Sequence, residues 1–222
     1  MVGQGVLREC LLDPDVELVQ TIGRSATGAQ HAKLREIAQP DLFQYADIEQ
    51  ALGQFDACFF CLGVSSAGMS EELYEKLTYT LTLAAAETLA RLNPAMTFVY
   101  ISGAGTDSTE KGRAIWARVK GKTENALLRL PFKAAYMFRP GIIQPAHGER
   151  SKTTAYRVGY ILMKPVIPLV RLLLPRYVLT TEEIGRAMIQ VAKHGAPKNI
   201  LETWDIRECA AAAMASPSAA RK

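Results

Sequence analysis

The sequence predicts an α/β fold built on a doubly wound parallel sheet, and two observations carry that reading. Short apolar runs rich in β-branched residues alternate along the chain with longer amphipathic stretches. Polar or glycine-containing exits follow the short runs, at Arg24, Asp41, Gly63, Ser102 and Gly141. In open parallel sheets, ligands bind at the carboxyl ends of the strands, so these are the informative positions. The 222 residues are 49% hydrophobic and 22% charged, enough for one sizeable core and few for two.

The elements follow in order. Residues 3–12 read as a helix because Val6, Leu7, Cys10 and Leu11 share one side, and Asp13-Pro14-Asp15 ends it. Residues 16–22 form a β-branched strand with Gly23-Arg24-Ser25 as its turn. Residues 34–38 give a short strand closed by Pro40-Asp41, 48–52 a short helix and 56–62 a buried strand. Ser70 caps a long helix to about residue 92, with Glu71 and Glu72 in its first turn. Asn93-Pro94 stops it. Residues 97–101 are a strand whose exit is Ser102-Gly103-Ala104-Gly105. A helix over 113–130 ends at Pro131, and a strand over 134–138 runs into Arg139-Pro140-Gly141. Thr180-Thr181-Glu182-Glu183 has the form of a capping box opening a helix to about 193. Residues 200–203 are a last strand. The expected organisation is one domain over 1–206, in which 142–180 covers the substrate, followed by a disordered tail over 207–222 rich in Ala and Ser.

Composition removes several classes of function. The net charge of +4 comes without a dense Lys/Arg block, so nucleic acid is not the expected partner. No run reaches the roughly 18 uncharged apolar residues of a membrane span. The most apolar stretch, 158–174, is broken by Lys164, Pro165, Pro168 and Arg171, and it reads as pocket cover rather than membrane contact. Arg8 and Glu9 interrupt any signal-peptide pattern, and the four cysteines fit a reduced compartment, so the expectation is cytoplasmic. Cys58 and Cys61 form a C-x-x-C, but on a strand i and i+3 point to opposite faces, which favours core over redox pair. His31, His147 and His194 have no metal spacing, and no metal is expected.

A dinucleotide-binding fold opens with a strand, a Gly-rich turn and a helix. This chain opens with Met1-Val2-Gly3-Gln4-Gly5 and enters the helix directly. Together with Asp56–Gly63, Tyr100-Ile101-Ser102-Gly103, Arg118–Glu124, Arg139-Pro140-Gly141 and Thr180–Glu183, that opening resembles the atypical short-chain dehydrogenase/reductases. Within them the branch is that of the sugar-nucleotide epimerase-like and Tat-interacting-protein-like reductases, which are NAD(P)-binding Rossmann proteins. The resemblance covers Met1 to about Ile206.

The resemblance implies a set of roles. Met1-Val2-Gly3 matches the end of the family's Gly-rich turn, so a strand and two earlier glycines, on the order of ten residues, are expected upstream. Gly3 would let the helix N-terminus approach the pyrophosphate. Arg24 and Ser25 fall where the family contacts the adenosine ribose, and a guanidinium there favours a 2′-phosphate, hence NADP(H) over NAD(H). Asp41 and Leu42 would sit near the adenine. Leu62-Gly63 would let the backbone pass close to the cofactor, and Pro140 and Gly141 close the same edge. Ser102 would orient a substrate oxygen, and Lys120 would hold the nicotinamide ribose.

The departure is at Trp116, where the family carries its catalytic tyrosine. An indole N–H donates a hydrogen bond but does not transfer a proton near neutral pH. Tyr156 and Tyr160 are the alternatives within reach in sequence. Three readings therefore stay open. One is an oxidoreductase or epimerase-like enzyme acting on a small carbonyl or alcohol by hydride transfer, another a dinucleotide-binding regulator, and the third an inactive fragment. Oligomeric state is not set by the sequence.

Overall fold

The computed structural model describes residues 1–149 and 177–215. The chain starts in helix α1 (Val2–Leu12), followed by strands β1 (Val19–Gly23) and β2 (Leu34–Ala38), a 3₁₀ turn (Ala46–Ala51) and β3 (Ala57–Phe60). A long helical rod follows as α2 (Glu71–Glu75), one π turn (Lys76–Thr80) and α3 (Leu81–Leu92). Then come β4 (Thr97–Ile101), α4 (Ile115–Leu127), β5 (Ala134–Arg139) and β6 (Ile142–Gln144). The chain is described again from Tyr177, as β7 (Val178–Thr180), α5 (Thr181–His194), β8 (Ile200–Glu202) and α6 (Thr203–Ala215).

The caps expected from sequence are built. The Ser70 hydroxyl accepts the Leu73 amide at the start of α2. At α5 the Thr180 hydroxyl accepts the Glu183 amide at 3.0 Å while the Glu183 carboxylate accepts the Thr180 amide at 2.7 Å. Two donors at the helix start are thereby satisfied together.

Every strand pair is parallel. The principal sheet has the order β3-β4-β5-β8, β1 and β2 form a separate pair, and β6 pairs with β7. Side chains alternate between two apolar layers, as period-two strands require. Val99, Phe138 and Leu201 face α1, α5 and α6, where Val6, Ile184, Met188 and Ile206 meet them. Phe60, Phe98, Tyr100 and Met137 face the other way, toward Ala85 and Ala86 of α3 and Leu127 of α4. Val19 and Phe59 join the first layer, and Ile22 and Cys58 the second. The β1–β2 pair and the main sheet are thus sandwiched between the same two layers.

The described residues supply no strand between β1 and β3. All five residues of β1 are half-buried, and so are three of the four in β3, whereas four of the five in β4 are fully buried. This is the doubly wound parallel sheet expected from sequence. Helix α1 starts against the end of β3: a Cβ on Gly3 would lie 3.3 Å from Cys61 Cβ, just past that strand.

Helix α1 packs against α5 at backbone distance. A Cβ on Gly5 would lie 2.5 Å from Thr181 Cβ, and one on Gly185 would lie 2.7 Å from Glu9 Cγ.

Three sequence expectations are corrected. The final run was read as a strand over 200–203 with a disordered tail from 207, but the chain turns into α6 at Thr203 and stays helical to Ala215. The alanines that suggested fraying are good helix formers, and Ile206 and Ala210 pack into the core. Strands β6 and β7 were not anticipated, because three residues carry too little periodicity to read. The strand read over 16–22 pairs only from Val19, whose amide reaches the Lys33 carbonyl at 2.8 Å. Most of the substrate-covering segment, the apolar stretch 158–174, Tyr156, Tyr160 and residues 216–222 lie outside the described residues.

Candidate functional site

The expected site residues fall into three groups along the carboxyl edge of the strands. Arg24 and Ser25 are exposed at the end of β1. Asp41 is exposed just past β2, where its carboxylate accepts the Phe43 amide at 2.9 Å, and Leu42 is buried beside it. The two strand ends are tied by a Gln39 amide to Gly23 carbonyl bond of 2.8 Å. In the second group, Gly3 meets the Cys61 side chain beyond β3, next in chain to exposed Leu62 and Gly63. Helix α1 begins at Met1 without a side-chain cap, so its first amides suit an anion.

The third group is built most tightly. The Lys120 ammonium on α4 donates to the carbonyl oxygen of Ser102 at the end of β4. The Ala104 amide donates to the Pro140 carbonyl at 2.9 Å, so the exits of β4 and β5 are joined, with Gly141 next in chain. Trp116, one turn before Lys120, lies over the same exit: a Cβ on Gly105 would stand 3.3 Å from its ring. Gly105 has φ +87°, a conformation that favours glycine.

Beneath this edge lies a polar network centred on Glu124 and Arg139, to which sequence reasoning assigned no roles. Glu124, a further turn along α4, is fully buried, and Arg139 at the end of β5 is 9% exposed. The guanidinium donates through Nε at 3.0 Å and through a terminal nitrogen to the two oxygens of that carboxylate. It also reaches the Ser108 hydroxyl and, at 3.3 Å, Glu202 of β8. The Ser102 hydroxyl, itself buried, faces Glu124 and the Phe138 carbonyl, both acceptors. Its one proton is therefore committed inward. The signals were an acidic residue at i+4 from the lysine and an arginine closing an apolar strand.

Burial lowers the Lys120 pKa from 10.5 to about 8, with Glu124 opposing the shift. The loop before α4 is held by Asp107, whose carboxylate accepts the amides of Thr109 and Lys111 at 3.0 Å and of Gly112 at 2.6 Å. These bonds, that from the Thr109 hydroxyl foremost, lower its pKa.

Cys58 and Cys61 pack into opposite layers, as strand geometry requires. Burial pushes both thiols up to about 12, as it does Cys10. Thiols that are almost wholly protonated at neutral pH make poor redox centres. Glu9, His147 and Glu182 bring ligand atoms within 4.8 Å of one another. Their carboxylates are already engaged, Glu9 by Arg8 and Arg186, and Glu182 by Arg186 at 2.6 Å and His147 at 2.8 Å. This is an ion-pair cluster joining α1 to α5. Among the described residues, no helix is long and apolar enough to cross a membrane.

The fold is that of the nucleotide-sugar epimerases and dehydratases. The chain superposes on WbmF from Bordetella bronchiseptica, solved with NAD+, at a TM-score of 0.63 and 14% identity, covering 100% of this chain and 76% of that one. ADP-L-glycero-D-manno-heptose-6-epimerase from Helicobacter pylori gives 0.63 at 15% identity, over 91% of this chain and 72% of that one. The dTDP-glucose 4,6-dehydratase DesIV from Streptomyces venezuelae, with NAD bound, gives 0.63 at 13% identity, over 96% and 77%.

In sequence the chain is 32% identical to the mitochondrial protein fmp52 of Emericella nidulans over 150 residues. That match covers 64% of this chain and spans 63% of the relative's length. Identity to the mitochondrial protein FMP52-2 of Scheffersomyces stipitis is 29% over 191 residues, 83% of this chain and 79% of that one. No family model matches. Both relatives are named as mitochondrial, which corrects the cytoplasmic expectation. A cysteine count reports redox state, and that argument does not separate one reducing compartment from another.

Proposed function

We propose that this chain binds a nicotinamide dinucleotide along the carboxyl edge of its sheet and acts on a small carbonyl or alcohol, as a reductase or epimerase-like enzyme. The observation that carries the reading is the joining of Lys120, Ser102 and Trp116 at the exits of β4 and β5. The donor set suits a dinucleotide. A helix start without a side-chain cap would hold a pyrophosphate, the exposed guanidinium of Arg24 would donate to a 2′-phosphate, and the Lys120 ammonium would be available to the ribose. Arg24 favours NADP(H) over NAD(H). When bound, the nicotinamide supplies or accepts hydride. Gly3, Leu62, Gly63, Pro140 and Gly141 let backbone approach it, and Asp41 and Leu42 border the adenine. The compartment is that of the mitochondrial relatives.

The slot between β1 and β3 is part of the same proposal. Both neighbours are half-buried and parallel to their own partners, so the slot takes a parallel strand with apolar side chains on both faces. Such a strand would end beside Gly3 and complete the phosphate-binding turn. The test is titration of the protein with NADPH and NADH, with and without such a strand and glycine turn fused ahead of Met1. Saturable NADPH binding that tightens on fusion supports the reading, and no binding in either form refutes it.

A second reading, a dinucleotide-binding regulator without turnover, is favoured by Trp116 at the tyrosine position. It predicts NADPH binding with no hydride transfer to any small carbonyl.

A further inference from the structure

We propose that Lys120 is the proton-exchanging group of this cleft, taking the part that a tyrosine would have played at position 116. The inference deepens the proposed function and rests on it for the substrate class. Three neighbours are removed by their own chemistry. Trp116 does not exchange a proton near neutral pH. The Ser102 hydroxyl has committed its only hydrogen to buried acceptors, Glu124 or the Phe138 carbonyl. The Glu124 carboxylate is fully buried and held at both oxygens by Arg139.

Among the described residues at this edge Lys120 remains, and its setting differs from that of a surface lysine. The residue as a whole is half-buried at the strand exit, and its ammonium has a neutral carbonyl as hydrogen-bond partner. The charged groups facing it among the described residues are Glu124 on its own helix and, bound to that carboxylate, Arg139 from β5. Glu124 favours the charged ammonium, but its carboxylate is shared with Arg139, and burial is the larger influence. Desolvation therefore prevails and brings the amine to about 8, where it exchanges protons at physiological pH.

The step balances. Carbonyl reduction would place a hydride, two electrons and one hydrogen, on carbon; a bound reduced nicotinamide would supply it and be oxidised. The N–H bond of the Lys120 ammonium breaks as the O–H bond forms on the developing alkoxide. The neutral amine then takes a proton from water. Alcohol oxidation runs the same steps backward.

The test reads the amine without any reaction. Trace acetylation of the intact protein with acetic anhydride from about pH 6 to about pH 11, with the Lys120 peptide quantified by mass spectrometry, gives its titration midpoint. We expect a midpoint at about 8, with Lys122, Lys193 and Lys198 acylated only at higher pH because their pKa values are raised. A Lys120 midpoint at the ordinary 10.5 overturns the proposal. Repeating the series with NADPH separates the two claims. Protection of Lys120 supports the dinucleotide reading. An unprotected amine that still titrates at about 8 removes the dinucleotide reading and the reduction step with it, and leaves only the lowered lysine pKa.

Discussion

Gly121 on α4 passes the backbone of Asp107 so closely that a Cβ on it would lie 1.8 Å from the Asp107 carbonyl oxygen. The loop leading from Ser102 to α4 is seated on this contact, and Lys120 is the residue before it. Neither partner is a mobile side-chain tip, since one is loop backbone and the other helix backbone. Gly121→Ala must therefore push loop and helix apart. We expect a destabilisation of about 3 kcal/mol or more, at the upper end for overpacking, read as a drop in the thermal midpoint. A melting curve that superimposes on the wild type would show that the loop yields freely.

The Arg139–Glu124 pair gives a second prediction. Removing one member of a buried, hydrogen-bonded ion pair leaves an uncompensated charge, at a cost of about 3–5 kcal/mol. Arg139→Met should lose that much in denaturant unfolding. The double variant Glu124→Met/Arg139→Met should recover most of it, because replacing both partners removes the stranded charge. A double variant as unstable as the sum of the two single ones would place the cost in packing instead.

Lys120 makes stability depend on pH in a defined direction. Its folded pKa of about 8 lies below the ordinary 10.5, so between these values the unfolded chain binds more protons than the folded one. Stability then rises with pH across that window. Below it both states are protonated and the full cost of burying the charge is felt. Above it both are neutral and the cost is gone. Relative to Lys120→Met, the wild type should gain on the order of 2–3 kcal/mol between pH about 8 and about 10.5. A difference that stays flat across the window would mean that the ammonium is well solvated in the folded protein.

Much of this architecture was legible because it rests on periodicity and on capping chemistry. The alternating apolar runs marked β1 to β5, and the Thr180–Glu183 box opened α5 where the sequence put it. The opposite facing of Cys58 and Cys61 followed from strand geometry alone. What could not be read was long-range. Glu124 and Arg139 are 15 residues apart in sequence, and only the packing of α4 on β5 reveals that the arginine closes on the glutamate. Ser102 was expected to orient a substrate oxygen, and only the fold shows that its hydroxyl donates inward, to Glu124 or the Phe138 carbonyl. The end of the chain misled because Ala-rich composition suits both a frayed tail and a helix, and tertiary packing decides.

The central claim is that a phosphorylated dinucleotide lies along the carboxyl edge of this sheet with Arg24 at its 2′-phosphate. The direct test is to titrate wild type and Arg24→Ala with NADPH and NADH, following nicotinamide fluorescence. The account predicts tighter binding of NADPH than NADH by wild type. It also predicts that Arg24→Ala weakens NADPH by about tenfold, the loss of roughly one charge-assisted contact, and leaves NADH unchanged. Equal affinities for the two nucleotides in wild type, or an Arg24→Ala variant that binds NADPH as well as the parent, would contradict it.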